Sequence, residues 1–277
     1  MIFDGKKLAQ VILDNLKTEV SAWKNKPSLA VVSFGQKEDN SSYITQKRKT
    51  AEFLGLDFKH YHYSDSDLLA SREYLNKIVK MKKHSAVVVQ LPLAAGMNYS
   101  MLNIIPITKD PDLLSDKAVG LFFNGRSLVD PPTAAAVLRA LDESGISIKG
   151  KRIVLFGYGR LIGRFLTPML IKKEAVVTVL EKNIPQADVL DVCLKADIII
   201  SAVGKAGFIT GSMIKKGAVI VDAGFSLLDG KIAGDVDFNS VKDKISFITP
   251  VPGGIGPVTV AELFSNVIKL FKIYNKK

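Results

Sequence analysis

With one cysteine, Cys193, in 277 residues, the chain cannot build an intramolecular disulfide framework, and adding His60, His62 and His84 does not complete the usual zinc ligand sets. No metal is expected, and a reducing compartment suits such a chain. Long apolar runs are missing too. A membrane span needs about 18–20 uninterrupted apolar residues, whereas the runs here are strand-sized pieces such as Ala86 to Val89. The N-terminal Met-Ile-Phe-Asp-Gly-Lys-Lys meets acid and base within seven residues and holds no signal-peptide core, so the expected location is cytoplasmic, without a membrane partner. Acid is the scarcer sign, with 27 Asp and Glu against 38 Lys and Arg. The excess is spread, 17 basic against 13 acidic residues up to position 120 and 21 against 14 beyond it. The densest clusters, Lys47-Arg48-Lys49 and Lys80 to Lys83, are short and not interleaved with aromatics, which argues against a nucleic-acid partner. A local basic patch still suits a small anionic ligand.

What is present is ordinary globular composition, 47% hydrophobic and 23% charged, in a length that suits one large domain or two of usual size. Leu8, Val11, Ile12 and Leu16 recur at helical spacing. Strands are expected at Leu29 to Phe34, Asp57 to Tyr63 and Ala86 to Leu91. Helices are expected from Ser42 to Leu54, after the caps Asn40 and Ser41 and before Gly55, and from Leu68 to Met81. Pro131 and Pro132 mark a boundary near Asp130, followed by a helix over Ala134 to Asp142. Beyond it come strands Arg152 to Phe156, Val176 to Leu180, Ile198 to Ala202 and Ala218 to Asp222, with a helix over Leu161 to Ile171. Strands alternating with helices and apolar on both faces predict α/β architecture with a parallel, doubly wound sheet. A C-terminal helix follows Pro257.

Gly157-Tyr158-Gly159-Arg160-Leu161-Ile162-Gly163 joins a strand to a helix, as a dinucleotide-binding turn does, although its spacing is one residue longer than the usual fingerprint and a plain packing turn reads the same way. Glu181 lies 24 positions after Gly157 at the end of the next strand, where a carboxylate can accept from a ribose 2′-hydroxyl. Ala202-Val203-Gly204 offers a second glycine-bearing strand end. Tyr43 and Lys47, four apart, share a helix face and could address one ligand or simply decorate a surface. Gln90 ends an apolar strand, either as a functional group or as a polar residue satisfied by backbone. Asp110 and Asp112 flank Pro111 and could cap a turn or act as paired carboxylates. Thr249-Pro250-Val251-Pro252-Gly253-Gly254-Ile255-Gly256-Pro257-Val258-Thr259 mixes rigid and permissive residues ahead of a helix, which suits a loop around a flat ligand or a stiff connection.

Taken together, Ser42-Tyr43-Ile44 with Lys47 and Lys49, Val89-Gln90-Leu91-Pro92, Lys109-Asp110-Pro111-Asp112, Gly234-Asp235-Val236-Asp237-Phe238 and Ile248 to Pro257 resemble, in order and over nearly the whole chain, the bifunctional methylenetetrahydrofolate dehydrogenase/methenyltetrahydrofolate cyclohydrolases. The resemblance implies a folate-binding catalytic domain over 1–130, with helix 257–277 packing back on it, and a Rossmann-like nicotinamide-dinucleotide domain over 131–256. It implies hydride transfer from methylenetetrahydrofolate to NADP or NAD and hydrolysis to formyltetrahydrofolate, in one-carbon metabolism and purine biosynthesis, by a homodimer. Lys47 would be the central catalytic group, Tyr43 would stack on the folate, Gln90 would tune the lysine and Asp112 would hold the pterin. Folate would meet Tyr43, Lys47, Val89, Gln90, Leu91, Asp112, Pro252, Gly253, Gly254, Pro257 and Thr259. The cofactor would meet Thr133, Gly157, Tyr158, Gly159, Arg160, Glu181, Lys182, Ala202, Gly204 and Phe225.

Four departures qualify the match. Tyr158-Gly159 stands where the family has Arg-Ser, and Glu181-Lys182 where it has His-Ser, both changes favouring NAD over a 2′-phosphorylated cofactor. Asp112-Leu113-Leu114-Ser115 replaces Asp-Gly-Phe-His, from which loss of a tight glycine turn is expected. Pro131-Pro132-Thr133-Ala134 replaces Pro-Cys-Thr-Pro. A monofunctional relative, another nicotinamide oxidoreductase and a non-catalytic ligand-binding protein are the competing readings.

Overall fold

The computed structural model describes residues 1–35, 42–64, 67–228 and 230–274, so the cap positions Asn40 and Ser41 lie outside the described residues. It divides into two compact units. The first comprises Gln10–Pro132 and the chain from Val260 onward, and the second comprises Thr133–Thr259 with Met1–Ala9.

In the first unit the elements run α1 (Gly5–Ser21, which begins in the second unit), β1 (Ser28–Phe34), α2 (Ser42–Leu54), β2 (Asp57–Tyr63), α3 (Leu68–Lys80), β3 (Ala86–Val89) and α4 (Asp116–Phe123). The strands form a parallel sheet in the order β2-β1-β3, with Leu29 level with both Phe58 and Ala86. The period-2 alternation of β1 splits two cores. Leu29 and Val31 pack with Leu16, Val20, Ile44, Ala51 and Leu54, while Ala30, Val32 and Phe34 pack with Leu75, Ile78, Val79, Met101 and Leu102. Each Val, Leu, Ile, Phe or Met side chain so withdrawn from water contributes about 1.5–3 kcal/mol. Helix α2 is held by a buried stripe, Ile44, Lys47, Ala51 and Leu54, on which a lysine occupies a core position. Gly55, at φ +67°, ends it, with the Leu56 N–H donating back to the Ala51 carbonyl.

The second unit runs α5 (Pro132–Glu143), β4 (Arg152–Phe156), α6 (Gly163–Lys172), β5 (Val176–Leu180), α7 (Gln186–Lys195), β6 (Ile198–Ser201), β7 (Ala218–Asp222), a hairpin of β8 (Ser226–Leu228) and β9 (Lys231–Ala233), α8 (Phe238–Val241), β10 (Ile245–Thr249) and α9 (Ile255–Tyr274). Its parallel sheet has the order β10-β7-β6-β4-β5. The fifth strand, β10, the helix α7 and the hairpin are additions to the sequence expectation, and α6 starts two residues late because 158–162 form a loop.

Residues 1–9, expected within 1–130, instead join the second unit. Ile2 bridges Ile248, the Phe3 N–H donates to the Ile248 carbonyl at 2.8 Å, and the Phe3 and Phe247 rings lie 5.8 Å apart. Backbone pairing along the outer side of β10 satisfies groups that an edge strand would expose. From Val260 onward α9 belongs to the first unit, where Val260, Leu263, Phe264, Val267 and Ile268 complete the core around α1 and α2 and Lys272 pairs with Glu19 at 2.9 Å.

Candidate active site

The first unit holds the predicted substrate residues Tyr43, Lys47, Val89, Gln90, Leu91 and Asp112. The position of Lys47 on the buried stripe of α2 leaves the side chain 8% exposed. Its Nζ donates to Gln90 Oε1 at 2.8 Å. Gln90 follows β3, its backbone N–H fixed to the Val32 carbonyl at 2.8 Å and its Nε2 donating to the Leu91 carbonyl at 2.9 Å. Backbone thus satisfies the amide nitrogen of Gln90, while its oxygen faces the lysine. Asp112 completes the group: loss of solvent pushes its carboxyl above the usual range, and the charge of Lys47 pulls it back. Tyr43, one turn before Lys47, is half-buried against the core, and burial pushes its phenol up. Val89, by contrast, is 1% exposed within the core, so only its main chain can meet a ligand; Leu91 is half-buried.

The loop that carries Asp112 is a built structure. Asp110 caps it, accepting from the Leu114 N–H at 2.9 Å, the Ser115 N–H at 2.8 Å and the Ser115 hydroxyl at 2.7 Å. Burial nevertheless pushes Asp110 up to about 6, against the lowering effect of those bonds. Lys109 donates to the Val79 and Met81 carbonyls, anchoring the loop to the end of α3. The expected loss of the tight glycine turn does not occur. Leu113 itself adopts φ +52°, the left-handed region a glycine would take, with its side chain 2% exposed. Burial of the side chain offsets the conformational cost of an L-residue there, about 1–2 kcal/mol.

Sequence reasoning missed Asn266, on α9. Its buried Nδ2 donates to the Pro111 carbonyl at 2.8 Å and to the Asp130 carbonyl at 2.7 Å, tying the residue before Asp112 to the C-terminal helix. A polar residue amid the apolar Leu263, Phe264, Val267 and Leu270 was the available signal.

In the second unit, strand order reverses direction at β4, which has β5 on one side and β6 on the other, the switch point at whose carboxyl ends sheets of this kind form a ligand crevice. Gly157 turns the chain there at φ +92°, and a Cβ on it would lie 2.9 Å from the Ala202 carbonyl oxygen. At Gly163, the first residue of α6, a Cβ would lie 2.1 Å from the Gly157 oxygen, so helix and turn touch as backbone. Gly159 has open space around its Cβ position, which leaves its main chain accessible to a ligand. Gly204, at φ +73°, backs onto the Phe225 carbonyl. The exposed Glu181 accepts a hydrogen bond from the Tyr158 N–H, binding the end of β5 to the glycine turn. Tyr158 and Phe225 are about two-fifths exposed, Ala202 and Arg160 are half-buried, and Lys182 and Arg164 are exposed. Thr133 sits in the first turn of α5. The crevice, with backbone at its floor and an acceptor at its rim, fits a dinucleotide.

The Pro-Gly segment also lies in the second unit. Gly254 packs so tightly under Gly5 that a Cβ on Gly5 would fall 1.8 Å from its oxygen, while Gly253 has φ +106°. Pro252 is exposed, Pro257 lies in the first turn of α9, and the Thr259 hydroxyl donates to the Ile255 carbonyl at 3.1 Å.

A doubly wound sheet with a glycine-turned crevice, and an α/β unit centred on a buried lysine, together define a two-domain nicotinamide-dinucleotide enzyme. Two family models match the sequence: "Tetrahydrofolate dehydrogenase/cyclohydrolase, catalytic domain" over residues 3–112 and the corresponding "NAD(P)-binding domain" over 131–275. The chain is 34% identical over 273 residues to the "Bifunctional protein FolD" of Caldanaerobacter subterraneus subsp. tengcongensis, covering 98% of this chain and 97% of that one. Among solved structures, the methylenetetrahydrofolate dehydrogenase-cyclohydrolase of Trypanosoma brucei, in complex with NADP and an inhibitor, superimposes with TM-score 0.93 at 31% identity and covers 100% of this chain and 99% of its own. The Campylobacter jejuni bifunctional enzyme gives 0.90 at 31%, covering 99% of each chain. This chain belongs to the tetrahydrofolate dehydrogenase/cyclohydrolase family, and it is an enzyme of that pair of activities in one-carbon metabolism.

Proposed function

We propose that one lysine-centred site serves both reactions, methylenetetrahydrofolate oxidation and methenyltetrahydrofolate hydrolysis, with Lys47 as its acid–base group. The observation that carries this is the buried Lys47 Nζ to Gln90 Oε1 bond of 2.8 Å beside Asp112. The Gln90 oxygen aims the nitrogen of Lys47, and Asp112 offers a carboxylate to the donor edge of a pterin stacked on Tyr43. A bound nicotinamide supplies the hydride acceptor for the methylene carbon. In the hydrolysis, Lys47 in its neutral form takes a proton from the water whose oxygen adds to the methenyl carbon. The adduct then opens as its hydroxyl proton moves to the departing ring nitrogen. In this reading the folate domain is the part of 1–130 after residue 9 with the C-terminal helix, the cofactor domain is 131–256 joined by residues 1–9, and no metal takes part.

The cofactor favoured is NAD. Glu181 offers a free ribose 2′-hydroxyl an acceptor, whereas a 2′-phosphate would bring roughly two negative charges to it, each costing about 1–4 kcal/mol at about 4 Å. Arg160 and Lys182, from the loops, and Arg164, from the first turn of α6, oppose this preference. A homodimer through the cofactor domain accords with the outer position of β5, where Val176 is 57% exposed, and the cytoplasm is the proposed location.

The test is an anaerobic absorbance assay of methylenetetrahydrofolate with NAD or NADP, following reduced cofactor and methenyl product separately. Reduced cofactor should rise while the methenyl band forms and decays, and kcat/KM should favour NAD, with the ratio moving toward NADP in Glu181→Ser. A methenyl band that only accumulates identifies a monofunctional dehydrogenase. A ratio unmoved by the substitution shows that Glu181 does not read the ribose.

A further inference from the structure

The segment Gly234-Asp235-Val236 takes no part in the site described above, yet it contains a fully buried carboxylate. Asp235 is 0% exposed and accepts three hydrogen bonds: from the Ser201 hydroxyl at 2.7 Å, the Val203 N–H at 2.8 Å and the Lys205 N–H at 2.7 Å. Burying a charge costs several kcal/mol unless it is well saturated with donors. The donors here come from the end of β6 and the loop that follows it, the Ala202-Val203-Gly204 floor of the dinucleotide crevice.

The fit around this carboxylate is closed. A Cβ on Gly224 would fall 2.1 Å from the Asp235 carboxyl carbon, so the chain after β7 must pass as bare backbone. Asp222, at the end of β7, accepts from the N–H groups of Gly224, Asp235 and Val236 at 2.9, 3.1 and 3.0 Å, and a Cβ on Gly234 would strike it at 2.2 Å. Two interlocked carboxylates thus bind the 202–205 and 223–225 loops to the segment 234–236. The consequence reaches the glycine turn, because Ala202 is the residue whose carbonyl leaves no room for a side chain at Gly157, and Gly204 backs onto Phe225.

We infer that Asp235 is a positioning residue for the nicotinamide cofactor, holding the floor of its crevice in shape before the ligand arrives. It touches neither substrate nor reacting atoms. An apolar residue would fill the same space at lower desolvation cost but could not accept from Val203 and Lys205. Hydrogen bonds to a charged acceptor are about twice as strong as neutral ones, which suits a loop that has no regular secondary structure to stiffen it.

This inference rests on the proposed cofactor site, and the test separates the two. Asp235→Asn keeps the shape of the side chain but turns one acceptor into a donor, so either the Lys205 or the Val203 N–H loses its partner. NAD and NADP binding is measured by calorimetry. Methenyltetrahydrofolate hydrolysis is measured with no nicotinamide present, and amide hydrogen exchange is followed over 201–206. The variant should bind its preferred cofactor about tenfold more weakly, equivalent to about 1.4 kcal/mol. Exchange at 203–205 should rise, and hydrolysis should stay within about twofold of wild type. Ser201→Ala, which removes one donor and leaves both carboxylates, should weaken the same binding about two- to threefold and serves as the decisive variant if Asp235→Asn does not fold. Unchanged cofactor affinity in a folded variant, or equal losses of hydrolysis and cofactor binding, would overturn the inference. Absence of a binding signal for either dinucleotide in the wild type would instead overturn the cofactor site on which it rests.

Discussion

Replacing Leu113 separates two contributions that this residue combines. Its backbone sits at φ +52° and its side chain is 2% exposed, lining a small hollow with Ile107, Leu121 and Leu270. Leu113→Ala keeps the left-handed strain and removes buried carbon, a loss of about 2–5 kcal/mol. Leu113→Gly removes one buried carbon more, a further loss of about 0.8 kcal/mol, and relieves about 1–2 kcal/mol of strain, set against an entropy cost of about 0.5–1 kcal/mol for glycine. The two variants should therefore be equal in stability to within about 0.8 kcal/mol, although at an unstrained buried position glycine would be the weaker by about 1.3–1.8 kcal/mol. Urea denaturation of wild type and both variants, followed by circular dichroism, gives the two differences. Because the turn survives in the glycine variant, its folate affinity should also stay nearer wild type than that of the alanine variant. A Leu113→Gly variant about 1.5 kcal/mol less stable than Leu113→Ala would show that Leu113 carries no left-handed strain.

Asn266→Leu should weaken folate binding about tenfold, as should Asp112→Asn, both with cofactor affinity unchanged; equal losses for the two ligands in calorimetry would show a general structural effect. Asp110 sets a pH dependence of stability. Its carboxyl is pushed up to about 6 in the folded chain, so the native state binds this proton more tightly than the unfolded chain does. The associated stability, at most about 3 kcal/mol, is fully present below about pH 4 and is lost as pH rises through about 6. Thermal melts of wild type between about pH 4.5 and 7.5 should show this fall, and Asp110→Asn should reduce it, the remainder coming from Asp222, whose carboxyl burial also pushes up to about 6; parallel curves would refute the assignment.

The folding elements legible in the sequence were those whose local pattern matches their environment. The runs at Val31, Val88 and Ile153 are apolar on both faces because the strands are buried on both faces, and Gly55 stops α2 because only the left-handed turn closes it. The strand Ile245–Thr249 escaped because its Ser246 and the preceding Asp243-Lys244 read as loop, whereas pairing with β7 decides its conformation. The placement of Lys47, Gln90 and the glycine turn was legible, because a helix face, a strand end and a strand-to-helix turn are marked by local pattern. The site was not legible where long-range contacts decide. Asn266 finds partners 155 and 136 positions away, and the Tyr158 N–H finds Glu181 across two strand ends. Leu113 shows a different limit: a residue with the wrong local preference keeps the turn because its burial elsewhere in the unit outweighs the strain.

The role of Lys47 is the central claim, and methenyltetrahydrofolate hydrolysis by Lys47→Met tests it most directly. Ile44, Ala51 and Leu54 remain to hold α2, so the variant should melt close to wild type and still bind folate. Its hydrolysis rate should fall by about 10²–10⁴-fold, the span expected for loss of a general acid–base group. A folded variant that hydrolyses the methenyl substrate at the wild-type rate would contradict the account.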